Sequence, residues 1–380
     1  MQKVAIFGST GSVGRQALAV IDAHPGEFQV VVLAAGSSAA ALAEQVRRFR
    51  PAHVVLGDEA ALPALRAALS GVDVAIHAGA EDLAACAALP EVDCVIAAMT
   101  GVRGLPVSLA AVTAGKRLAL ANKESMVAAG PLLRAAAARS GAQILPVDSE
   151  HSAIHQCLSA GTPEEVARII LTASGGPFRT RSADTFAQIT VAEALRHPTW
   201  SMGPKISIDS ATMMNKALEI VEARHLFDIE AERIAVTVHP QSVVHSLVEF
   251  RDGTVMAQMS APDMRLPLQY AMSWPRRMAF PAPGFQVSLF QTLTFEEPDF
   301  QRFPSLLLGM DAARRGGTAG AVLNAANEIA VERFVAGEIN FPAISEHVGR
   351  VLARHRCVAA DSVRTVLDAD HWAREEMLRC

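Results

Sequence analysis

Lys3-Val4-Ala5-Ile6-Phe7, followed at once by Gly8-Ser9-Thr10-Gly11-Ser12-Val13-Gly14, decides how this chain begins to fold. Five residues dominated by apolar side chains, stopped by a glycine, read as a buried strand. The glycines recur at G-x-x-G-x-x-G spacing, and Ser12–His24 then carries helical periodicity. A strand, a tight turn and a helix open a βαβ unit. In such a turn the backbone can approach a pyrophosphate, and the helix N-terminal N–H groups face it. The spacing is not G-x-G-x-x-G, and a simple strand–helix turn uses glycines too. It is the βαβ setting that points to a dinucleotide.

Outward from that turn, Phe28–Ala34, Asp93–Met99, Arg117–Ala121 and Gln143–Val147 read as further buried strands with Ala/Leu-rich helical stretches between them. That rhythm predicts a parallel sheet covered on both faces over 1–147. The end of the second strand reads Ala35-Gly36-Ser37-Ser38, with no carboxylate to hold a ribose 2′-hydroxyl. A 2′-phosphate meets no repulsion there, which favours NADP(H) over NAD(H). From Asp148 the text turns polar and is cut by Gly and Pro. Arg233–Val238 and Ser242–Phe250 alternate as strands of a second sheet, and Trp274–Phe290 reads as an extended connector. Thr318–Val335 and Phe341–His355 are helical. The expected fold is α/β, with an N-terminal Rossmann-like parallel sheet (1–147), an α+β catalytic domain (148–280), a connector (281–302) and a C-terminal α-helical domain (303–380).

Composition excludes several classes of function. Among 380 residues, 51% are apolar and 19% charged, with a net charge of −5, so nucleic acid and anionic membrane find no general attraction. Five cysteines without a C-x-x-C pair argue against a disulfide scaffold or thiolate zinc, and fit a reducing compartment. No stretch reaches the length of a membrane span. The N-terminus enters a strand too early for a targeting peptide. The expectation is a soluble, cytoplasmic protein.

Two segments carry the chemistry. Val147-Asp148-Ser149-Glu150 follows the strand Gln143–Val147; if the chain stays extended, Asp148 and Glu150 point the same way at a carboxyl-terminal sheet edge. In Ser210–Glu222, helical spacing puts Met213, Met214, Ala217, Leu218, Ile220 and Val221 on one arc. Thr212, Asn215, Lys216, Glu219 and Glu222 fall on the other, with Asp209 and Ser210 at the helix start. Such a polar arc is commonly just a solvated face. With Asp148, Glu150 and Glu219 as oxygen donors it also suits Mg²⁺ or Mn²⁺. Zinc is the rival metal, because His151 and His155 form an H-x-x-x-H pair. Glu150 lies outside that pair, unlike the acid of H-E-x-x-H, and His155 reads as a packed or surface histidine.

Thr172-Ala173-Ser174-Gly175-Gly176 can aim N–H groups and a hydroxyl at an anion, and is equally an ordinary turn. With Ser210, Asn215 and Lys216 it can enclose a phosphate. His197–Lys205, broken by Pro and Gly and carrying Trp200 and Met202, reads as a lid or as a loop pinned by its tryptophan. Ala121-Asn122-Lys123-Glu124-Ser125 places a lysine at a sheet edge, or simply starts a helix.

GSTGSVG, ANKES, PVDSEHSAI, TASGGPF, HPTWSMGPKISIDSATMMNKALEIVEA, HPQSVVHS, PDMRLP and NAANE occur in this order, from Val4 into the last helices. Taken together they resemble the 1-deoxy-D-xylulose 5-phosphate reductoisomerases. The resemblance implies conversion of 1-deoxy-D-xylulose 5-phosphate to 2-C-methyl-D-erythritol 4-phosphate by retro-aldol and aldol steps followed by reduction. It implies NADPH, a divalent cation (Mg²⁺, Mn²⁺ or Co²⁺) and a homodimer. On matching positions it makes Asp148, Glu150 and Glu219 the metal ligands. Lys123, Ser149 and Glu150 then meet the reacting end of the substrate, and Glu150 and Lys123 assist proton movement. Ser174, His197, Ser210, Asn215 and Lys216 hold the phosphate end, and Trp200 and Met202 belong to the lid. Thr10, Gly11, Ser12, Val13, Gly36, Asn122, Glu124 and Gly203 contact NADPH. Some members carry a basic and an amide residue where this chain has Ser37-Ser38. Two rivals remain at this point: a metal-free NADP-dependent dehydrogenase, which leaves the acidic residues unexplained, and a non-catalytic NADPH sensor, which leaves the phosphate groups idle.

Overall fold

The computed structural model describes residues 1–198, 200, 203–280 and 286–380. The chain divides into two compact units: Met1–Ser125 with Leu133–Ser152 and Asp263–Gly284, and Met126–Leu132 with Ala153–Pro262 and Phe285–Cys380.

In the first unit, β1 (Gln2–Phe7), β2 (Phe28–Ala35), β3 (His53–Leu56), β4 (Ala75–Ala78), β5 (Cys94–Ala97), β6 (Arg117–Leu120) and β7 (Ile144–Pro146) form a sheet in the order β4-β3-β2-β1-β5-β6-β7. Every pairing is parallel. The order reverses at β1, so the carboxyl ends of β1 and β5 flank the crevice where open α/β sheets bind ligands. Val4, Ile6, Leu33, Val54 and Ile96 are sealed in its core, as continuous apolar strands require. The helix Arg265–Ser273 adds Leu268, Ala271 and Met272 to the same core. Arg117 Nη1 donates to Met272 O at 2.9 Å. Residues 263–280 therefore belong with the N-terminal sheet, a difference from the sequence reading that burial of this amphipathic helix accounts for.

In the second unit, β8 (Val166–Ala173), β9 (Ile234–Val238), β10 (Val244–Phe250) and β11 (Val255–Met259) form a mixed sheet in the order β11-β10-β8-β9. The helices Pro204–Ala211, Met214–Phe227, Ser305–Arg315, Ala319–Val335, Phe341–Arg354 and Val363–Leu378 belong to the same unit. The helical 303–380 region thus packs together with the middle region, where the sequence reading drew a boundary.

Candidate active site

In the first unit, the turn after β1 is built by close approach. A Cβ on Gly14 would lie 2.3 Å from Gly8 O, so the helix Ser12–Ala23 can begin this close to the turn only with glycine there. Gly11 is the residue before that helix and no side chain caps it. Gly11 and Ser12 are exposed, and Thr10 and Val13 are half-buried. The turn thus presents helix N–H groups to solvent, as a pyrophosphate needs. Gly36, Ser37 and Ser38 at the end of β2 are exposed as well.

Asn122 caps the helix Lys123–Ser140, accepting from Ser125 N at 3.2 Å. Its Nδ2 donates to Met99 O at 2.7 Å, Gly101 O at 3.0 Å and Glu124 Oε2 at 2.9 Å. The residue ties the ends of β5 and β6 together. Lys123 next to it is buried, with Nζ 2.5 Å from Asp148 Oδ2. A buried ammonium holds its charge only beside such a partner, and removing either member of the pair costs about 3–5 kcal/mol.

Asp148 does not continue an extended strand. A helix, Ser149–Cys157, starts immediately after it, with Ser152 N donating to Asp148 O at 2.8 Å and Glu150 N approaching Asp148 Oδ1 at 3.4 Å. The period-two argument for Asp148 and Glu150 is therefore replaced by a helix start, because capping the free N–H groups outweighs continuing the strand. Ser149 Oγ donates to Glu150 Oε2 at 2.5 Å. His151 is fully buried, with Nδ1 3.5 Å from Asp148 Oδ1, and burial holds the half-buried His155 below the ordinary imidazole range.

In the second unit, Gly176 (φ +69°) follows Ser174 in a turn whose Cβ, were there one, would stand 2.6 Å from Ser210 O. The close fit brings the Gly176 and Ser210 backbones together, and Gly176 N donates to Ser174 Oγ at 3.2 Å. Ser174 Oγ lies 3.1 Å from His197 Nε2, while His197 Nδ1 accepts from Trp200 N at 2.9 Å. With Nδ1 an acceptor, the neutral ring carries its proton on Nε2 and donates to Ser174; burial, which lowers its pKa, favours that neutral form. Trp200 lies near His245, ring centroids 6.5 Å apart. Gly203 precedes the helix Pro204–Ala211 and is exposed. Met202 lies outside the described residues.

The helix Pro204–Ala211 contains Asp209 and Ser210, which therefore stand at its end and not at the start of the next helix. Met213 (φ +61°) turns the chain into Met214–Phe227. That second helix is not a solvated amphipathic rod: Lys216, Glu219 and Glu222 are as buried as Ala217, Leu218 and Ile220. Asn215 Nδ2 donates to Glu219 Oε1 at 2.5 Å and Lys216 Nζ bonds Glu219 Oε2. Within this helix turn, Glu219 is thus paired with both an amide and an ammonium.

Asp209 and Asn327 escaped the reading of site residues from sequence. Asn327 Nδ2 donates to Asp209 Oδ1 at 2.7 Å, and both side chains are buried. The signal was present in the NAANE segment, where amides interrupt an apolar helix.

A Rossmann-type sheet with an open glycine turn, joined in one chain to buried lysine–carboxylate groups, is the frame of a dinucleotide-binding enzyme with an oxygen-rich acidic site. Family models described as 1-deoxy-D-xylulose 5-phosphate reductoisomerase match residues 4–130, and those for its C-terminal domains match 144–227 and 259–376. The chain belongs to the 1-deoxy-D-xylulose 5-phosphate reductoisomerase family. A relative of that name from Moorella thermoacetica is 51% identical over 98% of this chain and 96% of its own length. One from Xanthomonas euvesicatoria is 52% identical over 99% and 96%, respectively. Among solved structures, the Zymomonas mobilis reductoisomerase in complex with NADPH superposes with a TM-score of 0.94 at 42% identity, covering 100% of this chain and 98% of that one. A reductoisomerase complex with NADPH, fosmidomycin and magnesium gives 0.93 at 39% identity, again over 100% and 98%.

Proposed function

We infer that the chain is an NADPH-dependent, divalent-metal-dependent reductoisomerase that converts 1-deoxy-D-xylulose 5-phosphate to 2-C-methyl-D-erythritol 4-phosphate on the route to isoprenoids. The observation that carries this reading is family membership along almost the whole chain. Solved relatives bind NADPH and magnesium.

Asp148, Glu150 and Glu219 are the proposed cation ligands. Their donors are all carboxylate oxygens, the chemistry a hard cation such as Mg²⁺ or Mn²⁺ requires. Thr10, Gly11, Ser12, Val13, Gly36, Asn122, Glu124 and Gly203 are the proposed NADPH contacts. NADPH supplies the hydride, and the cation supplies the positive charge that draws electrons from the substrate's oxygens during carbon–carbon cleavage and rejoining. Lys123, poised at 2.5 Å from Asp148, carries a proton at the reacting end, and Ser149 fixes the orientation of Glu150 through its 2.5 Å bond. At the other end Ser174, His197, Ser210, Asn215 and Lys216 bind the phosphate with mainly neutral donors and one cation. Trp200 and Met202 exclude water. In this division of work, 1–147 binds NADPH, 148–280 holds substrate and cation, 281–302 connects, and 303–380 buttresses.

A cytoplasmic homodimer is part of the proposal. β11 is an edge strand with Val255, Met256 and Met259 40–46% exposed, a surface that a second copy would cover. No described helix is long and apolar enough to cross a membrane. Following NADPH absorbance with 1-deoxy-D-xylulose 5-phosphate and Mg²⁺ tests the activity; folded protein that oxidises no NADPH sinks it.

A further inference from the structure

We propose that Asn327, on the C-terminal helix Ala319–Val335, is a positioning residue for substrate binding. It fixes Asp209, and through Asp209 the Ser210 end of the helix Pro204–Ala211. The proposal rests on the reading that Ser210 holds the substrate's phosphate.

Asp209 is 1% exposed and Asn327 is fully buried. The Asp209 carboxylate is shared: Oδ2 takes Lys205 Nζ at 2.9 Å, and Oδ1 takes Asn327 Nδ2 at 2.7 Å. Lys205 stands four residues earlier on the same helix, so its bond to Asp209 stays within that helix. Among the described residues, the amide of Asn327, 118 positions away, is the one side chain from another element that bonds this carboxylate. Its other amide atom, Oδ1, is buried with no partner among the described residues. The Nδ2–H bond to Asp209 is the one hydrogen bond of the Asn327 side chain among the described residues.

Anchoring Asp209 has direct consequences. Thr212 Oγ1 bonds Asp209 O at 3.2 Å, and Met213 N bonds Ser210 O at 3.1 Å. Met213, at φ +61°, then reverses the chain into Asn215 and Lys216. The Gly176 turn packs on Ser210 O. A helix end free to rotate about its axis would carry Ser210 away from Ser174 and shift the start of the following helix. The C-terminal region thereby sets the position of phosphate donors it does not itself contain.

Steady-state kinetics on the full chain, with NADPH and Mg²⁺ present, test this. Asn327→Ala is expected to raise KM for 1-deoxy-D-xylulose 5-phosphate about tenfold while kcat stays within about threefold and KM for NADPH is unchanged. Asn327→Asp sets two carboxylates against each other and does worse. Exchanging the pair, Asp209→Asn with Asn327→Asp, restores the amide–carboxylate bond with its direction reversed and returns KM toward the wild-type value. A merely structural asparagine predicts that both KM values rise as kcat falls and that the exchange does not help. Should Asn327→Ala not fold, the exchanged pair against Asn327→Asp decides; an exchanged pair that folds yet keeps a raised substrate KM overturns the proposal. Ser210→Ala separates the two readings. If it raises substrate KM and Asn327→Ala does not, the anchoring idea alone is wrong. If it leaves substrate KM unchanged, the phosphate role of Ser210 falls and the proposal falls with it.

Discussion

Glu219 illustrates how a side chain's neighbours decide what it can do. It is 1% exposed, with one oxygen bonded to Asn215 and the other to Lys216. Glu219→Gln keeps the shape and one hydrogen bond but removes the charge that a divalent cation needs. Turnover is expected to fall by about 100-fold or more, in line with losses on altering metal sites. Thermal unfolding should show the variant still folded, and near-normal NADPH oxidation would discard the metal assignment. His245 offers a different test. Burial pushes its pKa down from 6.5 to about 4, against weaker opposing bonds from Ser260 and Ala261. As pH falls below 6.5, the unfolded chain takes up this proton before the folded one does. Stability is therefore whole above that pH and is lost down to about 4, amounting to roughly 3 kcal/mol. Urea unfolding at a series of pH values should show this slope, and His245→Gln should flatten it. Residue types were legible in the sequence: acids, amides and a lysine in groups. Their pairings were not. Asp148 capping a helix and His197 shared between Ser174 and Trp200 depend on local turns that the letters leave open.

Whole elements tell a mixed story. Strands β1, β2, β9 and β10 and the helices Ser12–Ala23, Ala319–Val335 and Phe341–Arg354 lie within a few residues of their expected bounds, because long apolar periods carry a strong signal. β3 and β4, four residues each, were lost among Ala-rich helical text. Periodicity predicted one helix over Ser210–Glu222; the structure instead breaks at Met213 and runs a helix over Met214–Phe227, and the solvated face that such a pattern usually implies is absent. The Ser174-Gly175-Gly176 turn gives the prediction at this scale. An alanine at 176 meets Ser210 O at 2.6 Å in a left-handed backbone conformation. Gly176→Ala should cost about 1–3 kcal/mol of stability and weaken substrate binding more than NADPH binding. Urea unfolding and the two KM values check it; a variant as stable as wild type would show that the turn has slack.

At the scale of the molecule, the acidic site and the nucleotide turn are expected to answer to different treatments. Chelation should abolish NADPH oxidation, and added Mg²⁺ or Mn²⁺ should restore it while the melting profile shows a folded chain throughout. Full activity in metal-free buffer would favour a simple dehydrogenase. If β11 meets a second copy, Met256→Lys with Met259→Lys should shift sedimentation from dimer to monomer; an unchanged dimer would move the interface elsewhere. The sequence by itself determined the α/β class, the glycine turn, the family and the residues able to carry charge, because backbone geometry and hydrophobic period are local properties written in neighbouring letters. Only the tertiary structure decided that Lys216, Glu219 and Glu222 are buried, that Arg265–Ser273 returns to the N-terminal core and that Asn327 reaches Asp209. Those facts depend on which distant segments exclude water from one another, and no local pattern encodes that.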